Sequence, residues 1–294
     1  MIHKRIAILK YNIIIPVKNE ENFLRENLYS VVNQTLLAEQ IIIVNDGSTD
    51  ATAQIAEEFV QKYPFIKLIS LPTENQQHEP GEKIVNVFYK GFEQLQNDWD
   101  FIVKLDADTV LPKNYFEEVA QVFRSNPKAG ISGGLAYIEK NGKWVLEKIG
   151  NKKQVRGPFK SYSKACFEKI GGLKKSIGWD TADELLALFH GFEIQVIPHL
   201  KVKLLKPTGS VYKAIHGKKT GQAFYRLDYG FIISFIAAVK AGKNQKSIKL
   251  IFTILQSYCS SFLKSDEKIV SPEEGKFIRK FRWKGILKKL SIKN

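Results

Sequence analysis

The sequence contains little cysteine or methionine and no long hydrophobic run. Its 294 residues include two cysteines, Cys166 and Cys259, and one methionine. The cysteines have neither metal-binding nor redox spacing, so we expect a reducing compartment. Apolar runs such as 231–239 fall far short of the roughly 20 residues that span a membrane. The first apolar run ends at Pro16 and resembles a strand rather than a signal peptide, so we expect a cytoplasmic protein.

Two common nucleotide-binding motifs are also missing. No Gly-x-Gly-x-x-Gly follows the first predicted strand, which argues against a nicotinamide or flavin site. The sequence has no Gly-x-x-x-x-Gly-Lys-Ser/Thr loop, so a P-loop cannot hold phosphates. A nucleotide diphosphate bound here would need another source of positive charge, and a metal ion is the simplest source.

Negative charge is scarce, especially near the C-terminus. The net charge is +15, and residues 240–294 hold fourteen Lys and Arg against four Asp and Glu, which is +10 of that total. A basic tail can contact nucleic acid, anionic lipid or acidic glycan. It can equally be a solvated surface without a specific partner.

Apolar runs and helical periodicity alternate through the first 125 residues. This order predicts a mostly parallel, Rossmann-like α/β sheet with right-handed crossovers and helices on both faces. The predicted strands are 11–17, 40–44, 65–71 and 101–105, and the predicted helices are 23–32, 51–62, 82–95 and 115–123.

The pattern changes after Gly130. Asn141-Gly142 predicts a hairpin turn between strands 131–138 and 144–149. Residues 152–159 are predicted to be extended, and short strands are predicted at 194–197 and 202–205. Helices are predicted at 163–170 and 179–190. We expect a catalytic domain over 1–210 and a basic helical extension over 211–294.

Two aspartates follow the fourth predicted strand. Asp106 and Asp108 are one residue apart, so they can share one side of the strand's carboxyl end. Ligands bind at that end in open α/β sheets. Two carboxylates suit Mg²⁺ or Mn²⁺, with a diphosphate completing the coordination shell. The alternative is that Asp106 and Asp108 only form a turn or cap a helix and bind no metal.

Polar residues also follow the first two predicted strands, at 16–20 and 46–48. In a parallel sheet these ends lie at the same edge as Asp106 and Asp108. Three polar loops converging at one edge are typical of a nucleotide pocket. Asn19 is a candidate cap for the first helix, and Asp46 is a candidate cap for the second.

Together these segments resemble the family 2 glycosyltransferases of the GT-A fold. They occur in the order of that family, between residues 11 and about 205. The matching segments are Ile-Pro-Val-Lys-Asn-Glu at 15–20, Val-Asn-Asp-Gly-Ser-Thr-Asp at 44–50, Lys-Leu-Asp-Ala-Asp at 104–108, Ile-Gly-Gly at 170–172 and Trp-Asp-Thr-Ala-Asp-Glu at 179–184.

The resemblance implies a donor site for a nucleotide-diphosphate sugar. In such a site Asp46 would contact the nucleobase, Asp106 the ribose or the metal, and Asp108 the metal that bridges the diphosphate. The residues that the resemblance implies for the donor and its metal are Pro16, Val17, Asn19, Glu20, Asp46, Ser48, Lys83, Asp106 and Asp108.

The resemblance also implies a general base among Asp180, Asp183 and Glu184. The spacing to Gly191 favours Asp180, although Asp180 could instead be only a helix cap. The expected reaction is a direct displacement with inversion at the anomeric carbon. The acceptor hydroxyl loses its proton to the base, and a metal stabilises the departing nucleotide.

One departure from the family concerns phosphate contacts. Many relatives have a histidine after the base helix, whereas residues 203–209 contain none. Lys203 or Lys206 could neutralise phosphate there, but a purely structural role is the favoured interpretation. Arg156 and Lys160 could meet an acidic acceptor or lie on a solvated surface.

The sequence therefore predicts an inverting glycosyltransferase of cell-envelope polysaccharide synthesis with a glycan or lipid-linked acceptor. The alternative is a non-catalytic glycan- or nucleic-acid-binding protein on the same scaffold. No nucleic-acid partner is expected, because Phe277, Phe281 and Trp283 have helical spacing rather than the pattern of a stacking platform. That helix face could rest on an anionic surface at the inner face of the membrane.

Overall fold

The computed structural model describes residues 8–72, 81–147, 153–206 and 213–291; only the backbone is described at 213–216 and 289–290. The predicted loop at 73–80, the start of the extended stretch at 152 and the predicted domain boundary at 210 lie outside these residues. The elements are β1 Tyr11–Val17, α1 Leu24–Val32, β2 Gln40–Asp46, α2 Thr52–Lys62, β3 Ile66–Leu71, α3 Glu82–Phe92, β4 Phe101–Leu105, β5 Thr109–Val110, α4 Tyr115–Ser125, β6 Ala129–Lys140, β7 Lys143–Leu146, β8 Phe159–Ser163, α5 Lys164–Lys169, α6 Trp179–Phe189, β9 Glu193–Leu204, α7 Lys213–Arg226, α8 Phe231–Gln245, α9 Ile248–Leu263 and α10 Pro272–Ser291.

The chain divides into two compact units. Among the described residues, the first unit contains 8–72, 84–147, 153–172 and 191–206, and the second contains 81–83, 173–190 and 213–291. Helix α6 thus groups with the C-terminal helices although it precedes β9 in the chain. The predicted domain boundary at 210 stays a prediction.

The first unit is built on a nine-stranded sheet with the order β3-β2-β1-β4-β8-β6-β9-β5, and β7 pairs with β6. Strands β3, β2, β1 and β4 are parallel neighbours. Ile14 of β1 lies opposite Ile42 of β2 and Lys104 of β4. The carboxyl ends of these strands therefore meet at one edge, as the sequence predicts.

The central strands are apolar because both faces of this part of the sheet are covered. Every residue of β1 and β4 is buried. Such strands are almost continuous runs of aliphatic and aromatic residues instead of alternating apolar and polar ones. This property makes the parallel half of the fold readable from the sequence.

The second half of the sheet is mixed. Strand β8 is antiparallel to β4 and β6, and β6 forms the predicted hairpin with β7 through Asn141 and Gly142, both at positive φ. Residues 153–158, predicted to be extended, form turns and irregular backbone before β8. The two short strands predicted near 200 are one strand, β9, whose pairing with β6 shifts between Gly133 and Leu135.

The second unit consists mainly of helices. Helices α8 and α9 share a small core of Ala238, Leu250 and Ile254. Phe277 of α10 packs against Phe189 of α6, with ring centroids 5.5 Å apart. Within the described residues, no helix has both the length and the apolar character needed to cross a membrane.

Candidate active site

The turn after β4 places the two predicted metal ligands. The backbone N–H of Asp106 donates to the carbonyl of Pro158 (2.7 Å), and the Thr109 hydroxyl donates to the carbonyl of Asp106 (2.8 Å). The buried amide of Asn27 donates to the carbonyls of Asp106 (3.1 Å) and Thr109 (2.7 Å). Helix α1 therefore stabilises this turn through the side chain of Asn27.

A buried lysine accompanies the first aspartate. Lys104, which is 2% exposed, forms an ion pair with the carboxylate of Asp106. Lysine and aspartate are two positions apart at the end of β4, so their side chains leave the strand on the same side. The pair fixes the Asp106 carboxylate at the edge of the sheet.

The second aspartate, Asp108, has more negative than positive charge around it. The pKa of Asp108 is raised to about 7, first by burial and then by the negative charges of Asp106 and Glu20. The positive charges of Lys206 and Lys104 oppose this shift only in part. A half-buried carboxylate beside two others is stabilised as an anion when a further cation is present.

This donor set fits a hard divalent cation. Magnesium is commonly bound by one or two protein carboxylates, with waters and substrate phosphates as the other ligands. Over the part of the chain that the structure describes, no three His, Cys, Asp or Glu side chains form a group that could hold an ion alone. Asp106 and Asp108 therefore fit a metal shared with a diphosphate better than a closed protein site.

The loops after β1 and β2 are locked together. The N–H of Asn19 donates to the Ser48 hydroxyl (3.0 Å), and the Asn19 side-chain oxygen accepts from the N–H of Thr49 (2.9 Å). Asn19 has a φ of 53° and makes no capping bond to α1, so the capping prediction is wrong. Its side chain crosses to the neighbouring loop instead.

Two ion pairs lie on these loops. Lys18 contacts Asp46 (3.5 Å), and Lys206, just after β9, contacts Glu20 (2.5 Å). Asp46 does not cap α2; its neighbour Asp50 accepts from the N–H of Thr52 (3.0 Å). Lys206 also lowers the pKa of Asp108, and whether its role is structural or includes phosphate binding stays a prediction.

The structure brings most of the predicted donor residues to this edge. Pro16 and Val17 end β1 opposite Val44 and Asn45 of β2. Lys83 is in the first turn of α3 and groups with the second unit. The roles predicted for these residues in donor binding remain predictions.

Helix α6 carries the three candidate bases. Its N-cap is Gly178, whose φ of 82° is unfavourable for other residues. The helix begins at Trp179, so Asp180 lies inside the first turn and does not cap it. Asp180, Asp183 and Glu184 share one helix face. Asp183 and Glu184 are 1% and 3% exposed, whereas Asp180 is half-buried.

Asp180 belongs to a charged cluster with Tyr229 and Arg282. Burial raises the pKa of Tyr229; the charge and hydrogen bond of Arg282 oppose the shift, and the negative charge of Asp180 adds to it. Arg282 donates to the Tyr229 hydroxyl, and its guanidinium lies 4.9 Å from the ring centroid. Asp180 is therefore the candidate base that combines partial solvent access with a place near the Tyr229–Arg282 pair.

The second unit also contains a basic pocket of about 530 Å³. Arg226 reaches across it to the Ser176 hydroxyl (3.0 Å), and Lys268 donates to the carbonyl of Tyr225 (2.5 Å). Burial lowers the pKa of Lys268, which is the effect of removing a cation from water. The pocket is lined by Lys174, Lys175, Ser176, Arg226, Glu267, Lys268, Ile269, Val270, Ser271 and Glu274.

Sequence reasoning missed Lys104 and Asn27. Each is a polar residue within an otherwise apolar pattern, Lys104 inside a strand and Asn27 on the buried face of a helix. That irregularity is the signal that could have identified them. Sequence reasoning also left Lys160 as a possible surface residue, but it is fully buried in β8, and Arg156 pairs with Glu147 (3.0 Å).

Two solved structures share this architecture. Staphylococcus aureus TarS in complex with UDP-GlcNAc superposes with a TM-score of 0.55 at 18% identity, over 92% of this chain and 78% of that one. The mannosyltransferase PcManGT from Pyrobaculum calidifontis, in complex with GDP-Man and Mn²⁺, gives 0.55 at 12% identity, over 98% and 89%. These similarities confirm the predicted GT-A fold.

Sequence comparison agrees with the fold. Poly-β-1,6-N-acetyl-D-glucosamine synthase of Staphylococcus epidermidis is 29% identical over 147 residues, which cover 50% of this chain and 32% of that protein. The chain spans about a third to a half of the length of such curated relatives. The model of glycosyl transferase family 2 matches residues 12–173, more than half of the chain. The chain therefore belongs to glycosyl transferase family 2.

Proposed function

We propose that the protein is an inverting, metal-dependent glycosyltransferase that uses a nucleotide-diphosphate sugar. The observation that carries the proposal is the cluster of Glu20, Asp106 and Asp108 at the carboxyl edge of the parallel strands, with a raised pKa at Asp108. Family membership and two ligand-bound neighbours, one with Mn²⁺, support it.

Asp106 and Asp108 would hold Mg²⁺ or Mn²⁺ together with the donor diphosphate. When bound, this ion would supply positive charge to the leaving nucleotide. Lys104 holds Asp106 in place, and Asn27 holds the backbone between the two carboxylates. Both contacts are made within the protein itself, which supports a site whose carboxylates are held in place by the fold.

The locked loops after β1 and β2 would bind the nucleoside. Asp46 would contact the nucleobase edge, Pro16 and Val17 would form the floor of the nucleoside site, and Asn19 and Ser48 would maintain the loop geometry. The cross-loop hydrogen bonds support this role, because a pre-ordered loop pays less entropy when it binds a ligand. Lys83, at the start of α3, would approach the phosphates.

Asp180 would be the general base for the acceptor hydroxyl. A base must reach its substrate, and the burial of Asp183 and Glu184 leaves Asp180 as the most accessible of the three acids. In a displacement with inversion, the base and the leaving group act on opposite faces of the sugar. They must therefore come from different segments, as Asp180 and Asp108 do.

The acceptor would be a lipid-linked saccharide in cell-envelope polysaccharide synthesis. The basic pocket lined by Lys174, Lys175, Arg226 and Lys268 suits the phosphates that join such a saccharide to its lipid. The relationship to a polysaccharide synthase also favours this class.

A panel of donors tests the proposal. Purified protein is incubated with UDP- and GDP-sugars, with Mn²⁺ or with a chelator, and slow release of the nucleoside diphosphate is measured. We expect release from one donor class only, and only with the metal. Thermal stabilisation by the matching diphosphate should show the same dependence.

The alternative is a non-catalytic binder on the same scaffold. Thermal stabilisation by single-stranded oligonucleotides or by glycans, with none from nucleoside diphosphates and Mn²⁺, would favour that alternative. Donor hydrolysis and metal-dependent stabilisation together would exclude it.

A further inference from the structure

Helix α8 exposes a stripe of large apolar side chains. Phe231, Ile232, Phe235 and Val239 are between 39% and 62% exposed. At about 100° per residue they fall within an arc of roughly 100° on one side of the helix. Ile233, Ser234 and Ala238 of the same helix are buried. The exposed stripe is therefore distinct from the residues through which α8 packs.

Helix α9 exposes a second stripe. Ile248, Phe252 and Leu263 are between 67% and 81% exposed, and Cys259 between them is also exposed. The spacing i, i+4, i+11 and i+15 places all four on one narrow face. Leu250, Ile254 and Tyr258 are buried on the opposite side.

The two helices form one packed pair. A Cβ on Gly242 of α8 would lie 2.2 Å from the Ile251 side chain of α9, so only glycine permits this approach. Both stripes therefore lie on helices that pack against each other. We call the two stripes together the α8–α9 apolar surface.

The charge around this surface has a single sign. Residues 229–265 contain no Asp or Glu, and their five lysines are all exposed. Lys243 falls beside the α8 stripe and Lys249 beside the α9 stripe at helical spacing. Apolar side chains bordered by lysines are typical of helices that lie in a membrane interface.

We propose that the α8–α9 apolar surface binds the headgroup region of an anionic lipid bilayer. The apolar stripes would enter the boundary with the acyl chains, and the lysines would contact lipid phosphates. A second copy of the chain fits less well, because it would bring two lysine-rich, acid-free surfaces together. The inference does not depend on the proposed reaction.

The α8–α9 apolar surface differs from the helix face that the sequence suggested as a membrane contact, and that earlier suggestion stays a prediction. The helix face of Phe277, Phe281 and Trp283 was the predicted contact. However, Phe277 packs on Phe189 and stacks on Phe281, with centroids 5.5 Å and 6.0 Å apart. Phe281 and Trp283 are still 41% and 37% exposed, but the stripes of α8 and α9 contain more exposed apolar side chains, up to 81% exposed at Leu263.

Vesicle flotation with the full chain tests the proposal. The probes are vesicles of phosphatidylcholine mixed with phosphatidylglycerol, and vesicles of phosphatidylcholine alone. We expect binding to the anionic vesicles only, weakened by added salt. Phe235→Ser and Phe252→Ser should each lower the partition coefficient about fivefold, because each removes a large apolar side chain from the bilayer.

Lys243→Ala and Lys249→Ala should each cost about fivefold as well, since one surface lysine contributes that much to anionic membrane binding. The matched controls are Leu37→Ser and Lys62→Ala, exposed positions of the first unit. The controls should bind as the unmodified protein does. Circular dichroism checks that every variant is folded.

Cys259 provides a direct probe. It is exposed and the other cysteine, Cys166, is buried, so a polarity-sensitive fluorophore should label Cys259 selectively. We expect a blue shift when anionic vesicles are added. The same label on Lys62→Cys in a Cys259→Ser background should not shift.

Three results would overturn the proposal. One is the absence of binding to anionic vesicles, and another is equal loss of binding in the control variants. The third is a concentration-dependent dimer, measured by sedimentation, that Phe235→Ser and Phe252→Ser abolish, which would assign the surface to a second copy. Loss of glycosyl transfer alone would bear only on the proposed function.

Discussion

The edge of the sheet in the first unit and helix α6 in the second unit present their carboxylates differently. At the sheet edge, two of the three carboxylates form ion pairs, Asp106 with Lys104 and Glu20 with Lys206, and Asp108 lies where the surrounding negative charge is only partly compensated. On α6, burial distinguishes the acids, since Asp183 and Glu184 are enclosed and Asp180 is not. The first arrangement suits a metal, and the second suits a proton acceptor.

The strongest test of this difference is Asp108→Asn. We expect metal-dependent binding of the nucleoside diphosphate to fall by more than about 100-fold, because a direct metal ligand is lost and outer contacts alone are worth 10- to 100-fold. Isothermal titration with UDP or GDP and Mn²⁺ measures this loss. Asp98→Asn, an exposed carboxylate paired with Lys164, is the matched control and should bind normally. Unchanged binding by Asp108→Asn would show that no metal binds at that edge.

The next test separates proton transfer from donor binding. Asp180→Asn should leave donor affinity unchanged and lower the transfer rate by about 10² to 10⁴, the usual contribution of a general base. Asp183→Asn should act mainly on stability, because Asp183 is buried and accepts from the N–H of Glu184 (2.6 Å). If Asp180→Asn transfers sugar normally and a folded Asp183→Asn does not, the base is Asp183.

Asn27→Leu tests the support of the sheet edge. The change removes the amide that donates to the carbonyls of Asp106 and Thr109. We expect the free energy of unfolding to fall by about 2 kcal/mol, because a buried acceptor loses its donor. Urea denaturation measures the loss. Asn33→Leu, whose amide bonds the Tyr29 carbonyl on the surface, should cost much less. Equal losses would mean that Asn27 has no special role.

Lys206→Met should have the smallest effect. Its ion pair with Glu20 is partly exposed, so the stability change should stay below about 1 kcal/mol. Diphosphate binding should weaken several-fold, because a cation that acts on Asp108 disappears. Lys203→Met, whose amino group lies 5.0 Å from the Trp144 ring centroid, is the control. Unaltered diphosphate binding by Lys206→Met would support the purely structural role that the sequence favours for Lys206.

Local periodicity explains which parts of the fold were predictable. Strands β1, β2 and β4 are buried on both faces, and their apolar runs are visible without any tertiary information. The two short strands predicted at 194–197 and 202–205 are one strand, because both parts pair with β6, and the gap between them coincides with a shift in that pairing. The caps predicted at Asn19 and Asp180 were wrong, since a capping residue type does not reveal where the helix begins.

The sequence by itself determined the alternation of strands and helices in the first half of the chain, the polar strand ends and the family, because these depend on residue types at fixed, short spacings. Tertiary structure decided which charges meet and which acids water can reach. Glu20 and Lys206 are 186 positions apart, and only the folded sheet brings them together. The sequence alone does not distinguish the three acids of α6, whereas in the folded protein Asp183 and Glu184 are buried and Asp180 is partly exposed.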